Sequence, residues 1–135
     1  MSEPRSQPSF AIPQRPERRY SRTSGLSYEG TTVFVLTPEP TSDAADPDAW
    51  LCDLTERVLD TDRYTYGDWF DLPMPVFLVH DRGTSDVFRV AIRDGRIEFH
   101  VLPETDSKGL SALYERLCTA AGGTWHVECR TDADR

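Results

Sequence analysis

The sequence predicts one α+β domain in which two amphipathic helices pack on one face of an antiparallel sheet, with the element order β-α-β-β-β-α-β. Three observations lead to this fold class. They are an Asp-Gly hairpin turn between alternating apolar runs, two segments with apolar residues at helical spacing, and short runs rich in β-branched residues. A chain of 135 residues accommodates a single domain, which we place at residues 31–130.

The first strand and the first helix are predicted within residues 32–60. The run TVFVL at residues 32–36 is apolar and rich in β-branched and aromatic types, and nearby prolines predict that the strand ends soon after it. Asp46 followed by Pro47 is typical of a helix start, because the acid caps the first amides and proline fits the first helical position. Apolar residues then recur at helical spacing, so we expect a helix over about 47–60.

The centre of the sequence predicts a β-hairpin with a defined register. Asp94-Gly95 is typical of a two-residue type I′ turn, in which both loop residues need positive φ. This turn places Ile92 opposite Ile97, and the inner pairs further along the strands are also apolar on both sides. A shift by one residue would bury arginine, glutamate and histidine side chains, so the pattern allows only this register.

A strand at Val76–His80 is expected to extend this hairpin into a three-stranded central meander. The segment after this strand has the composition of a turn. A four-residue loop over residues 82–85 places Val79 opposite Phe88, which continues the apolar face of the hairpin.

The second helix and the last strand complete the predicted domain. Thr105 or Asp106 can cap a helix whose apolar residues form one stripe, and the glycine pair that begins at Gly122 ends it. Trp125–Cys129 then alternates apolar and polar residues, which predicts a final strand.

The balance of charged residues indicates a habitat rather than a partner. There are 23 acidic and 15 basic residues, and the basic ones are 14 Arg and one Lys. A GC-rich genome favours arginine codons, whereas a cytosol with molar salt favours surfaces poor in lysine and rich in aspartate; Asp exceeds Glu here by 14 to 9. We therefore expect a halophilic archaeal source, with codon bias as the alternative. In molar salt the Debye length is about 3 Å, so the net charge of −8 says little about binding.

Residues 1–30 differ in composition from the rest of the chain. They are rich in proline and serine and hold five basic and three acidic residues, a net charge of +2, against −10 for the remainder. We expect a flexible arm here and a disordered tail at residues 131–135. The arginines of the arm that would contact an anionic partner such as nucleic acid are Arg15, Arg18, Arg19 and Arg22. A solvated arm without a partner explains the same composition. No apolar segment follows the Arg-Arg pair, so we do not expect export.

The cysteines predict reduced thiols and a cytoplasmic location. There are three of them, an odd number without a CxxC pair, which is no disulfide framework. His126 and Cys129 come nearest to a metal-ligand pair, but three residues apart on a strand they point to opposite faces. We therefore expect neither a metal nor a cofactor. No apolar run reaches the 18 or more residues of a membrane span, so we expect no membrane insertion.

Enzyme signatures are largely missing, and the candidates for chemistry lie on the meander. The local motifs of nucleotide-binding proteins, zinc proteases and serine hydrolases do not occur. Arg89, Glu98 and His100 are expected on one polar sheet face, with His80 projecting from the same face. Such a cluster binds an anion or moves a proton, and a hydrated face with ion pairs is the alternative. Apolar residues share this face, which indicates that the arm or a partner covers it.

A second candidate surface is the segment of residues 64–75, which we interpret as a stiff aromatic loop. It combines four aromatic residues with two acids and two prolines. If Trp69 and Phe70 are exposed they recognise a partner, because large aromatic side chains dominate interface energies. If they are buried they extend the core, with Asp68 and Asp71 as turn formers.

Taken together, the sequence favours a non-catalytic cytoplasmic module that binds a protein partner or a second copy of itself, through the mixed sheet face and the aromatic loop. A nucleic-acid accessory factor that uses the basic arm is the first alternative. A small enzyme that uses His80 or His100 is the second.

Overall fold

The computed structural model describes residues 9–23, 25–38, 46–68 and 75–131. Side chains are described throughout these ranges except at positions 18, 19, 21, 26–29 and 68. The elements in chain order are β1 (Glu17–Ser21), β2 (Gly25–Glu29), β3 (Thr32–Pro38), α1 (Pro47–Leu59), β4 (Tyr64–Asp68), β5 (Val76–Asp81), β6 (Asp86–Arg93), β7 (Arg96–His100), α2 (Ser107–Ala121) and β8 (Trp125–Thr131).

The predicted α+β class and the order of the predicted elements are confirmed. Six strands form one antiparallel sheet in the order β4-β5-β6-β7-β3-β8, and β1 pairs only with β2 in a separate two-stranded ribbon. Both helices pack on the same face of the large sheet, and their apolar stripes meet the apolar face of the meander. We call this the helix face and the opposite side the outer face.

The register of the central hairpin is confirmed residue by residue. Ile92 lies opposite Ile97 and Arg89 lies opposite His100. The turn residues have the positive φ values that the type I′ turn needs, 54° at Asp94 and 71° at Gly95. The loop over residues 82–85 also has the predicted length, because Asp81 pairs with Asp86.

The helix ends agree with the predicted capping chemistry. The Asp46 carboxylate accepts a hydrogen bond from the Ala49 amide at 3.1 Å at the start of α1. Asp106, rather than Thr105, is the N-cap of α2, and Gly122 ends that helix in the left-handed conformation at φ 80°.

The N-terminal segment differs from the flexible arm that its composition predicts. Phe10 is only 4% exposed and packs among Phe34, Phe99 and Tyr114, with ring centroids 5.1 to 6.0 Å apart. Residues 17–29 then form the β1–β2 ribbon. One aromatic residue that reaches the core is enough to anchor a segment whose prolines and arginines resemble a solvated tail.

The interpretation of residues 64–75 as a loop is wrong for residues 64–68. They form β4, an edge strand that pairs with β5 and turns Tyr64 and Tyr66 toward the helix face. Tyr64 and Tyr66 alternate with Thr65 and Gly67, a period of two that is typical of a strand. The prediction relied instead on the aromatic and proline-rich composition of the whole segment. Residues 69–74 lie outside the described part of the chain.

The last strand lies beside the first predicted strand, at an edge of the sheet. β8 pairs with β3 over seven residues, and it ends at Thr131, two residues beyond the predicted strand. The predicted disordered tail at residues 131–135 is therefore wrong for Thr131, which belongs to β8, and residues 132–135 lie outside the described part.

Candidate functional site

The polar cluster predicted on the meander lies on the outer face of the sheet. Arg89 in β6 lies directly opposite His100 in β7, and Glu98 lies opposite Ala91 one step further along the same face. β3 adds Val33 beside His100 and Val35 beside Glu98. The cluster therefore occupies three central strands.

Glu98 is the electrostatic centre of the cluster. Its carboxylate accepts a hydrogen bond from Arg93 Nε at 2.8 Å, and its other oxygen lies 2.9 Å from His100 Nε2. The hydrogen bond from His100, together with that from Arg93, outweighs the desolvation of the carboxyl and lowers the pKa of Glu98 to about 2. Glu98 is therefore an anion that is only 6% exposed, on the sheet face opposite helices α1 and α2.

This contact also orients the imidazole of His100. An ionised carboxylate only accepts hydrogen bonds, so Nε2 of His100 is the donor. In the neutral ring, Nδ1 is then left as an acceptor, and in the protonated ring it is a second donor. Arg93 was not among the predicted site residues. Its place beside Glu98 results from the hairpin register, which was the signal that could have identified it.

Arg89 and His100 lie at a pocket of about 530 Å³ between the outer face and the N-terminal segment. Its lining combines apolar residues, among them Pro16 and Leu102, with the polar or charged Arg89, His100 and Glu104. The lining residues are Pro16, Thr31, Thr32, Val33, Arg89, His100, Val101, Leu102, Pro103 and Glu104.

The N-terminal wall of this pocket is held by hydrogen bonds to the domain. The Thr32 hydroxyl donates to the backbone carbonyl of Gln14 at 2.7 Å, and Nε2 of the Gln14 side chain donates to the Thr31 carbonyl at 3.1 Å. Arg15 Nε donates to the Thr105 carbonyl at 3.2 Å. Pro16, the next residue in the chain, is thereby fixed and buried beside the sheet.

The opposite wall, residues 101–104, is fixed by the buried Thr105. Its hydroxyl donates to the Val87 carbonyl at 2.6 Å and accepts from the Leu102 amide at 2.7 Å. The turn is thereby attached to β6, and Leu102 and Pro103 keep their places at the pocket. Both walls are thus ordered before any ligand binds.

The remaining predicted site residues do not join this cluster. His80 is exposed on the outer face opposite Val87, and strand β6 separates it from His100. The Asp68 backbone pairs with Phe77 at the end of β4, while its side chain is outside the described part. Trp69, Phe70 and Asp71 also lie outside the described residues.

The predicted anion-contacting arginines are spread over the N-terminal segment. Arg15 donates to the Thr105 carbonyl, and Arg22 is exposed in the β1–β2 turn. The backbones of Arg18 and Arg19 lie in β1, whereas their side chains are outside the described part. Tyr20, which follows Arg19 in β1, is 82% exposed.

A second ionic cluster lies on the helix face, and sequence reasoning did not identify it. The buried Asp81 carboxylate accepts hydrogen bonds from Arg63 Nε at 2.8 Å and Nη2 at 3.1 Å, and one from the Gly83 amide at 2.8 Å. Burial opposes ionisation most strongly, but these donors together lower the pKa of Asp81. The pair joins the start of β4 to the end of β5, which is a structural role.

Comparisons with known proteins identify no relative: no family model, no curated protein and no solved structure matches the chain. Neither helix in the described part is long and apolar enough to cross a membrane. Within the same residues, no three His, Cys, Asp or Glu side chains form a group able to hold a metal ion.

Proposed function

We propose that this protein is a non-catalytic binding module whose outer-face pocket receives a carboxylate from a protein partner. The observation that carries the proposal is the pairing of Arg89 and His100 at a pocket that also offers apolar surface. The acid excess and the 14 to 1 ratio of Arg to Lys support a halophilic archaeal cytoplasm as its location.

The lining favours a ligand with an apolar body and an acidic end. Pro16, Leu102 and Pro103 offer apolar surface, while Arg89 offers a planar guanidinium whose donors match the two oxygens of a carboxylate. A chain terminus with an apolar last residue has this chemistry, as does an acidic side chain next to an apolar one. Glu104 at the same pocket disfavours ligands of higher negative charge, such as phosphate.

The hydroxyl groups of the pocket favour binding over nucleophilic catalysis. The lining that the structure describes contains no serine or cysteine, and the Thr32 hydroxyl already donates to the Gln14 carbonyl. Acyl transfer needs an activated nucleophile within reach of a base, and the described residues of this pocket place no serine or cysteine beside His100.

The first experiment measures carboxylate binding directly. Amide chemical shifts are monitored by NMR while N-acetyl-leucine, or the uncharged N-acetyl-leucinamide, is added. We expect saturable shifts at Val33, Arg89, His100 and Leu102 with the acid only, because the amide lacks the charge that pairs with the guanidinium. Equal responses to the two compounds, or none at these residues, would contradict the proposal.

Matched variants assign the response to the pocket. Arg89→Gln should abolish the shifts, whereas Arg116→Gln removes the same charge from the exposed surface of α2 and should leave them unchanged. Circular dichroism of each variant checks that the fold is intact. An Arg89→Gln protein that is folded and still binds would refute the assignment.

The second experiment tests for a protein partner. Peptides with free carboxyl ends and the same peptides with amidated ends are screened against the wild-type protein and Arg89→Gln. We expect the wild-type protein to enrich peptides with free carboxyl ends and Arg89→Gln to lose this preference. If enrichment depends neither on amidation of the peptide nor on Arg89→Gln, this mode of recognition is excluded.

A second candidate function is acid–base catalysis by His100, because Glu98 orients the imidazole at the edge of the pocket. Hydrolysis of p-nitrophenyl esters is the direct assay. Catalysis by His100 would be supported if the wild type and His80→Gln hydrolysed the ester and His100→Gln did not. Equal activity in the wild type and both variants would exclude it.

Nucleic-acid binding through the arm is the third candidate, and the exposed Tyr20 and Arg22 favour it. Deleting residues 1–30 is a poor test, because it also removes the buried Phe10. Substituting Arg18, Arg19 and Arg22 by glutamine is sharper. Salt-dependent binding of an oligonucleotide that survives these changes would exclude the arm as the contact.

A further inference from the structure

Strand β8 forms an edge of the six-stranded sheet, and one of its two sides pairs with β3. Among the described residues, no strand pairs with its other side. An edge strand of seven residues presents backbone donors and acceptors to any extended chain that can lie beside it. No β8 residue lines the carboxylate pocket, so the dimer and the carboxylate binding are tested by different variants.

The start of β8 is tied to helix α2. The Tyr114 hydroxyl donates to the Trp125 carbonyl at 3.0 Å and accepts from the Trp125 amide at 3.3 Å, and Trp125 itself is buried. The edge beyond this contact is different, because His126, Glu128, Cys129 and Arg130 are exposed. The stretch Val127–Thr131 therefore lies beyond the contact of Trp125 with Tyr114.

The charges on this stretch are arranged so that the strand complements itself. Glu128 and Arg130 lie two residues apart, both point to the outer face, and they contact each other at 3.0 Å along the strand. We propose that β8 pairs antiparallel with β8 of a second copy, centred on Cys129. In this register, Glu128 of each copy lies opposite Arg130 of the other, which gives two ion pairs across the interface.

The alternative two-fold registers are less favourable. Centring the pair on Glu128 places two glutamates opposite each other, and centring it on Arg130 does the same with two arginines. Centring it on Val127 requires the Trp125 backbone, which already contacts Tyr114. The charge pattern and the contact of Trp125 with Tyr114 therefore both favour the register centred on Cys129.

A charge-reversal experiment tests the interface. Sedimentation velocity is measured at the lowest salt concentration at which circular dichroism shows an intact fold, because salt screens exposed pairs. The wild-type protein should be a dimer. Glu128→Arg alone, or Arg130→Glu alone, places like charges opposite each other twice and should raise the dimer dissociation constant by about tenfold or more.

Mixing the two variants provides the decisive measurement. Arginines at positions 128 and 130 of one variant then face glutamates of the other, so the mixture should form a heterodimer at concentrations at which each variant alone is mostly monomeric. Glu115→Arg, an equal charge change at an exposed position of α2, is the matched control and should dimerise like the wild type. A monomeric wild-type protein at every attainable concentration, or a mixture that remains monomeric, would overturn the proposal.

The register is tested through the exposed thiol of Cys129. Cβ atoms directly opposite each other on antiparallel strands lie about 4.5–5.5 Å apart, so the two Cys129 thiols would be close neighbours. In a Cys52→Ser/Cys118→Ser background, dibromobimane should link the two copies covalently, and Cys129→Ser should abolish the product. A dimer that forms no such product would exclude this register.

Discussion

Replacing Glu98 by glutamine should lower the free energy of unfolding by about 3 kcal/mol at pH 7 and by about 1 kcal/mol at pH 3. The size of the effect is set by the pKa of this carboxyl, which the folded state lowers from 4.5 to about 2. Each pK unit corresponds to about 1.36 kcal/mol of preference for the charged form. Glu98 itself is only 6% exposed, so solvent screens its carboxylate less than it screens a fully exposed ion pair.

The sign of the pH dependence is fixed by the direction of the shift. A carboxyl whose pKa is lowered on folding contributes its full stabilisation above the pKa of the unfolded state, near 4.5. The contribution is lost as the pH falls toward 2, because the folded protein must then take up the proton. Protonated glutamic acid and glutamine have nearly the same shape, so the two proteins should become equally stable at the acid end.

Urea denaturation at constant ionic strength, between pH 7 and pH 3, measures this difference. Glu128→Gln is the matched control on the same sheet. Its carboxylate pairs with Arg130 while about half exposed, and such surface pairs contribute about 0–1 kcal/mol. The reasoning would be refuted if the difference in unfolding free energy between the wild type and Glu98→Gln stayed constant between pH 5 and pH 3. That result would show that the charge of Glu98 does not stabilise the fold.

Three further changes test how the chain is held together. Phe10→Ala should cost about 3–4 kcal/mol of unfolding free energy in urea, because the ring is buried among three aromatic rings; a cost below about 1 kcal/mol would mean that the N-terminal segment is not part of the core. Tyr114→Phe should cost about 1–2 kcal/mol and speed hydrogen exchange at the Trp125 amide, and unchanged exchange would contradict the contact. Gly109→Ala should destabilise the protein despite the better helix propensity of alanine, because the new methyl group would overlap the Cβ and the carboxylate of the buried Asp86; the cost should largely vanish in an Asp86→Gly background, which removes both groups, and an equal cost in both backgrounds would exclude that overlap.

The sequence predicted the central meander and both helices because the relevant signals are local. The Asp94-Gly95 turn sets the register, and the period-two alternation on either side of it allows one choice of face. Asp46 and Asp106 mark helix starts by a contact that spans only a few residues. Such signals need no knowledge of the rest of the molecule.

Strand β4 and the N-terminal segment could not be predicted from local signals. β4 is short, contains Gly67 and lies beside a cluster of aromatic residues and prolines, so its weak alternation was overlooked. The N-terminal segment has the composition of a solvated arm, and only its contact with the distant helix α2 and with β3 and β7 shows that Phe10 belongs to the core. Composition describes a segment by itself, whereas burial depends on what surrounds it.

The candidate site shows the same division between local and distant information. By itself the sequence determined that Arg89, Glu98 and His100 share one face of a hairpin, since the side chains of a strand alternate with period two. Only the tertiary structure placed Pro16 and residues 101–104 around Arg89 and His100 to form a pocket. Those walls come from segments more than 80 residues apart in the chain, and hydrogen bonds such as Arg15 to Thr105 join them. A pocket is defined by such contacts between distant segments, and no periodicity within one segment encodes them.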